Sequence, residues 1–584
     1  MLWPLFCAFA TYFIPKLKKL RDNSASIREM FAIIGCAAEL LLVSFLMTEN
    51  VSVVMPFFDG IGLVLSFSGA NAVCCFIVAL VWLTMTVFGR ANIRKHDNAG
   101  LFYLFSFFSL SSAIGYFLST DFIASLLFFT LGSIFTYPAL ICSNDPKSKK
   151  RAMEFALSSV VSICLLFFGM SLIHYQTDSL TYASMGTFAP LMNEKLVFLA
   201  AAVIFFAFLI RSLFFPLLFR KTNEDNSPAL LSLAPVESMI GLYGIFNVTF
   251  YMMPNSTPWH LMLLIIGSVL LLSGALISLL SSRLDRMIIF SHISSLGCTI
   301  IGISLYPSTG TSESIASSLI HLFTSTIAFT LVLSITSLMS NDASKMRTAS
   351  LRGFYHNVRA ISLCFLSASL GIAGVPAWSG YIGHALINDL LQKRGVIICS
   401  IMLAIAGGFT VAAFTRAYVL IFLRRPINAS PDSDKTRSHD FATYIVGIIS
   451  ALILPLFGVF PNITVIKLAN RILTSLRRPA ILHFDILASE TLSFGLLTVV
   501  IGALIFVILD RFTKPDDFHL ADPDNFTAKS KKKGLIRRIA DFIYDFSSEG
   551  DIKITFKRVI ISLCCALLMA IAIILLLILF IVVI

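Results

Sequence analysis

Charge is what this chain has least of. Only 13% of its 584 residues are Asp, Glu, Lys or Arg, about half the share of an ordinary soluble domain. Beside 57% hydrophobic residues, that scarcity excludes both a soluble enzyme and a disordered protein. The 11 cysteines include no CxxC, and the adjacent pairs Cys74-Cys75 and Cys564-Cys565 read as small apolar residues of lipid-facing helices. Neither a disulfide framework nor a metal site follows from such spacing, and histidine pairs at ligand spacing are missing too. A glycine-rich nucleotide loop is also lacking, so no cofactor is expected. Any redox chemistry would belong to partner chains, and this chain alone is not expected to be an enzyme.

What remains is apolar sequence in long, non-alternating runs, which only helices can carry across lipid. At about 20 residues per crossing there is room for about sixteen spans. The pattern predicts an all-α polytopic membrane protein, with expected spans including 61–88, 194–219, 229–252, 359–391 and 557–584. The first, near 2–14, reads as a retained helix, since no basic segment precedes it and no small-residue cleavage site follows. The expected division is N-terminal helices over 1–100, a first repeat over 101–252 and a second over 253–424. Further helices cover 425–510, a polar segment with an amphipathic helix covers 511–556, and a terminal span covers 557–584.

The net charge of +12 sits in clusters between spans, which is the pattern of topology and not of a nucleic-acid-binding face. Clusters such as Lys147 to Arg151 and Lys529 to Lys533 follow odd-numbered spans, which predicts a cytoplasmic location for them and both termini outside. Lys467 and Arg471 fall on the wrong side of that scheme and predict a short amphipathic stretch.

Charges within spans are costly and are therefore candidates for function. They are Arg211, Glu237, His292, His321 and Arg416, with Glu154, His384 and Asp389 nearer span ends. Arg211 and Glu237 lie on consecutive spans and predict an ion pair, either a structural tie or a station on a charge path. Two long spans carry prolines: Pro216 in one, and Pro376 with Gly380 in the other. They lie five spans apart, an odd offset that makes two five-helix repeats inverted, each with a broken helix.

Five stretches then follow one another in order: Phe57 to Gly62, Arg283 to Gly297, His321 to Thr324, Leu370 to Gly380, and Phe409 to Arg416. As a set they resemble the antiporter-like subunits shared by respiratory complex I, Mrp-type cation/proton antiporters and membrane-bound hydrogenases. That resemblance implies one half-channel per repeat, passing protons or sodium along a buried charged axis, within a complex of other membrane subunits. The family's fifth-span glutamate falls on Thr130 and its seventh-span lysine on Arg211. Glu237 lies near the eighth-span basic position. His321 is the first of the eleventh-span histidines, while its companion falls on Ser325 and the following lysine on Phe329.

An arginine does not release its proton as a buried lysine can. Transport would therefore need an altered route through Glu237 and His321, with waters near His292 and His384. The resemblance favours a Mrp-type antiporter subunit of a bacterial inner membrane. The alternatives are a proton-pumping subunit of a complex I-like NADH:quinone oxidoreductase or a hydrogenase, a non-transporting scaffold, or an inorganic-carbon uptake partner.

Overall fold

In a computed structural model of the chain, residues 1–512 are described except 15–23, 48, 59–60, 95–97, 143–145, 178–180, 183–193, 219–232, 282, 307–311, 340–358, 425–440, 477–482 and 487. The amphipathic stretch expected in 511–556 and the terminal span 557–584 fall, beyond Phe512, outside the described residues.

The chain opens with α1 (Leu2–Phe13) and α2 (Ser24–Leu46). A two-stranded antiparallel hairpin follows, β1 (Val51–Phe58) paired with β2 (Ile61–Phe67). It corrects two expectations: the chain is not wholly helical, and the span expected over 61–88 begins as a strand. The reason is local. Val51, Val53 and Val54 favour the pleated backbone, and Pro56 and Gly60 punctuate the run before a helix can start.

The first bundle contains α3 (Gly69–Ile93), α4 (Ala99–Leu118), α5 (Phe122–Ile141), α6 (Pro146–Thr177), α7 (Glu194–Leu218) and α8 (Ala234–Asn247). A π-helical turn over Val248–Met252 closes α8. Asp121 anchors this region. Its carboxylate caps α5 by accepting from Ala124 N at 2.6 Å, and it also accepts from Val64 N of β2 at 2.7 Å. Cys74 and Cys75 are fully buried on α3, so they face protein and not lipid.

The second bundle contains α9 (Thr257–Leu280), α10 (Leu284–Ser304), α11 (Ser312–Met339), α12 (Arg359–Ala373), α13 (Ser379–Lys393) and α14 (Ile397–Tyr418). Another π-helical turn, Val419–Leu423, closes α14. The remaining helices are α15 (Phe441–Val459), α16 (Val465–Ser475) and α17 (Ser489–Phe512).

Eleven of these helices are long and apolar enough to cross a membrane, and three more are apolar but shorter. α16 is neither. At about 1.5 Å per residue it is too short to span, and it buries Val465, Ile466, Ala469, Ile472 and Leu473 while Lys467 and Arg471 stay exposed.

Small residues set the closest helix contacts. A Cβ on Gly297 of α10 would lie 2.6 Å from the Gly267 carbonyl of α9, so the two backbones nearly touch. Ser294 Oγ donates to the Leu271 carbonyl at 2.8 Å across the same seam. At the turn between them, Arg283 and Asp285 pair at 2.9 Å, both buried. α11 runs through the middle. It is buried from Ser314 to Thr336, and it packs on α3, α8, α10, α12, α13, α15 and α16.

The proline-bearing segments differ. The backbone of α7 is helical through Pro216 to Leu218. The span expected over 359–391 is two helices, α12 and α13, separated by residues 374–378. Gly374 and Ala377 both adopt positive φ there, at 67° and 72°. Gly380 lies so close to the Gly371 carbonyl that a Cβ would overlap it.

Candidate functional site

Among the described residues, two buried polar clusters gather charged or histidine side chains that the sequence singles out. The first is built on α7 and α8. Pro235 occupies the first turn of α8, where its missing N–H costs nothing, and Glu237 sits in the same turn. There its carboxylate faces the positive end of the helix dipole. Arg211 Nη2 meets Glu237 Oε2 at 2.7 Å, inside the 4 Å range of an ion pair, with both side chains almost wholly buried.

Hydroxyls complete the shell. Arg211 Nη1 donates to Ser133 Oγ of α5 at 3.0 Å and to Ser159 Oγ of α6 at 3.2 Å. Thr136 donates to Glu237 Oε1 at 3.4 Å, and Ser109 of α4 lies 2.9 Å from the Thr136 hydroxyl. The guanidinium carbon sits 5.0 Å from the ring centres of both Phe129 and Phe155, a cation–π sandwich. A small cavity adjoins the pair, lined by Trp82, Ser112 and Tyr116 among others, with room for about one water. Thr130 lies on the same helix as Ser133, but its hydroxyl bonds its own backbone, at Leu126 O, 2.7 Å away.

The second cluster joins α10, α11 and α13. His321 Nε2 of α11 lies 3.3 Å from His384 Nε2 of α13. On its other side, His321 Nδ1 is 2.9 Å from Thr299 Oγ1. The Thr299 hydroxyl donates to the Ser295 carbonyl at 3.2 Å, so it accepts from Nδ1–H. That fixes the tautomer and turns the lone pair of His321 Nε2 toward His384. Cys298 Sγ lies within 4.8 Å of a ring nitrogen of each histidine. Gly383 gives way to His321, since a Cβ there would lie 2.7 Å from that of the histidine.

The other candidates stand apart from these clusters. His292 is buried on α10 with neither ring nitrogen hydrogen-bonded among the described residues, and it packs edge-on to Phe329 at 4.6 Å. It is a core side chain here. Glu154 is half-buried on α6, without a hydrogen bond or ion pair among the described residues. Arg416 is half-buried in the last turn of α14.

Several groups escape a reading based on charge alone. Ser109, Ser133, Thr136 and Ser159 are the shell of the ion pair, and their only signal is hydroxyl residues recurring inside apolar spans. Glu39 is also missed. It lies deep in α2, and neither of its oxygens has a hydrogen-bond partner among the described residues.

Comparison with known proteins follows this geometry. The family described as NADH:quinone oxidoreductase/Mrp antiporter, TM, matches residues 119–410. The chain is 25% identical to NAD(P)H-quinone oxidoreductase chain 4, chloroplastic, of Chaetosphaeridium globosum, over 63% of this chain and 74% of that protein. It is 22% identical to a Na(+)/H(+) antiporter subunit of Alkalihalophilus pseudofirmus, over 59% of this chain and 70% of that one. Its fold is similar to a chain of the membrane-bound sulfane sulfur reductase, an archaeal respiratory membrane complex, with a TM-score of 0.70 at 16% identity. That likeness covers 85% of this chain and 98% of the other.

Proposed function

This chain belongs to the NADH:quinone oxidoreductase/Mrp antiporter transmembrane family, and on that premise we propose that its buried polar clusters carry protons or sodium ions across a membrane. The chain is an antiporter-like subunit of a multi-subunit membrane complex. The finer reading is a Mrp-type monovalent cation/proton antiporter, sited in a bacterial inner membrane with both chain termini outside. The other assigned partners are the neighbouring membrane subunits and lipid, which suit the exposed apolar faces of α15 and α17.

The observation that carries the reading is the Arg211–Glu237 pair held in a shell of hydroxyls. Arg211 keeps its charge, so the titrating member is Glu237. A proton reaches its carboxylate by hydroxyl exchange along Ser109 and Thr136. Protonation leaves the guanidinium uncompensated, and its field then disfavours positive charge elsewhere in the bundle. α8, which bears Glu237, packs directly on α11, which bears His321. An extra proton, taken up at His384 Nδ1, makes the facing imidazoles cationic, and that field expels it.

An internal repeat agrees with this division of labour. Residues 101–252 and 253–424 each hold a proline-bearing fourth segment followed by a helix that ends in a π-helical turn. We assign them as inverted repeats of a chain with about sixteen spans. A complex I-like role is favoured by the chloroplast relative, and a scaffold role by Thr130 and Arg211 standing where the family resemblance implies glutamate and lysine.

The test is cation-driven acidification in vesicles holding the complete complex. His321→Ala is expected to lower the flux about 10-fold or more, the scale of a lost general acid–base group. Unchanged flux would leave the scaffold.

A further inference from the structure

Three donor atoms converge where His321 and His384 meet, and sodium or proton passage does not require the third. Cys298 Sγ and one nitrogen of each histidine all lie within 4.8 Å of one another. They come from three separate helices, α10, α11 and α13. Two nitrogens bound to one tetrahedral ion, each at about 2.0–2.1 Å, stand about 3.3–3.4 Å apart. The two Nε2 atoms are 3.3 Å apart.

The surroundings are built for ligation. His321 is held in the Nδ1–H tautomer by Thr299, which is how metal-binding histidines are commonly oriented. Gly374 leaves room for the other ring, because a Cβ there would overlap His384 Nδ1. Cys298 and His321 are buried, and His384 is partly buried.

We propose that Cys298, His321 and His384 form a binding site for a thiophilic d¹⁰ cation of the Zn²⁺/Cu⁺ class. One thiolate and two imidazoles suit soft ions, whereas sodium seeks oxygen donors. On binding, the thiol proton leaves as the metal–sulfur bond forms, and the His384 proton moves from Nε2 to Nδ1. No electron moves. With Cu⁺ the filled site is neutral and with Zn²⁺ it carries one positive charge, so burial at this depth favours Cu⁺. Occupation also removes both facing nitrogens from proton exchange, so metal blocks transport; that consequence rests on the proposed function, while binding does not.

The experiment uses the intact complex, loaded separately with Zn²⁺ and with Cu⁺ under reducing conditions. X-ray absorption at the metal edge is expected to give one ion per chain, for Zn²⁺ with one sulfur at about 2.3 Å and two nitrogens at about 2.0–2.1 Å. Cys298→Ser is expected to remove the sulfur shell, weaken binding at least about tenfold, and leave metal-free flux unchanged but resistant to the ion. His384→Gln is expected to weaken binding equally, which guards against a folding defect in the first variant. Metal bound without sulfur, or with unchanged affinity in Cys298→Ser, would overturn the site. Absence of flux in the metal-free wild-type complex, with the sulfur shell still present in the loaded one, would overturn the transport reading alone.

Discussion

Arg211 is buried in α7 with three kinds of support: a carboxylate, two hydroxyls and two aromatic faces. Each replaces some of the hydration that a guanidinium loses on burial. Removing one partner of such a pair strands the other charge, which costs about 3–5 kcal/mol, whereas replacing both with apolar residues is often close to neutral. Arg211→Met alone should therefore lower the unfolding midpoint in detergent markedly, and the added change Glu237→Leu should restore most of it. Equal midpoints for the single variant and the parent would contradict the pair's geometry. These two residues were legible in the sequence because they fall on consecutive spans and are the only opposite charges deep in that region. Their hydroxyl shell was not, since Ser133 and Ser159 look neutral in any count of charge. Glu39 was overlooked because its span is otherwise unremarkable in composition.

At the scale of elements, glycine decides where helices meet. A Cβ on Gly241 of α8 would overlap the Ser212 hydroxyl and the Phe208 carbonyl of α7, so the ion pair depends on that close approach. Gly241→Ala should cost about 1–3 kcal/mol by overpacking and reduce flux as the two charges are pushed apart. Gly132→Ala is the control: its new methyl would sit 3.8 Å from Ser112 and 3.9 Å from Arg211, which is ordinary contact. Thermal melting of the two variants checks the contrast. Pro376 and Gly380 announced the interruption between α12 and α13. The hairpin over Val51–Phe67 was hidden because a hydropathy window averages β2 into the helix behind it. The meeting of His321 with His384 was hidden for another reason: they are 63 residues apart, and only the turn at 374–378 swings α13 back against α11.

For the whole molecule, the distribution of charge sets sidedness. Lys149 is exposed at the start of α6 among the basic residues assigned to the cytoplasm, and Val54 is exposed on the hairpin at the opposite side of the scheme. Cys164 is exposed on α6, so it is first replaced by serine. In that Cys164→Ser background, Val54→Cys should react with a membrane-impermeant maleimide on intact cells, and Lys149→Cys only after permeabilisation. The reverse pattern would invert the topology. Most of the bundle was legible because apolar length is a strong signal in lipid, while α16 was foreseen only as misplaced charge.

The interruption at 374–378 leaves α13 unattached to α12 by helical hydrogen bonds, so it would serve as a pivot. His384 stands five residues beyond the start of α13, so its backbone lies about 7 Å from that pivot at about 1.5 Å per residue. A tilt of about 10° would carry it about 1.2 Å by that lever arm, enough to break the contact between nitrogens that stand 3.3 Å from one another. α11, by contrast, is one unbroken helix. Rocking of one short rod against a fixed one would thus switch the imidazole contact on and off, with no need for the rest of the bundle to shift.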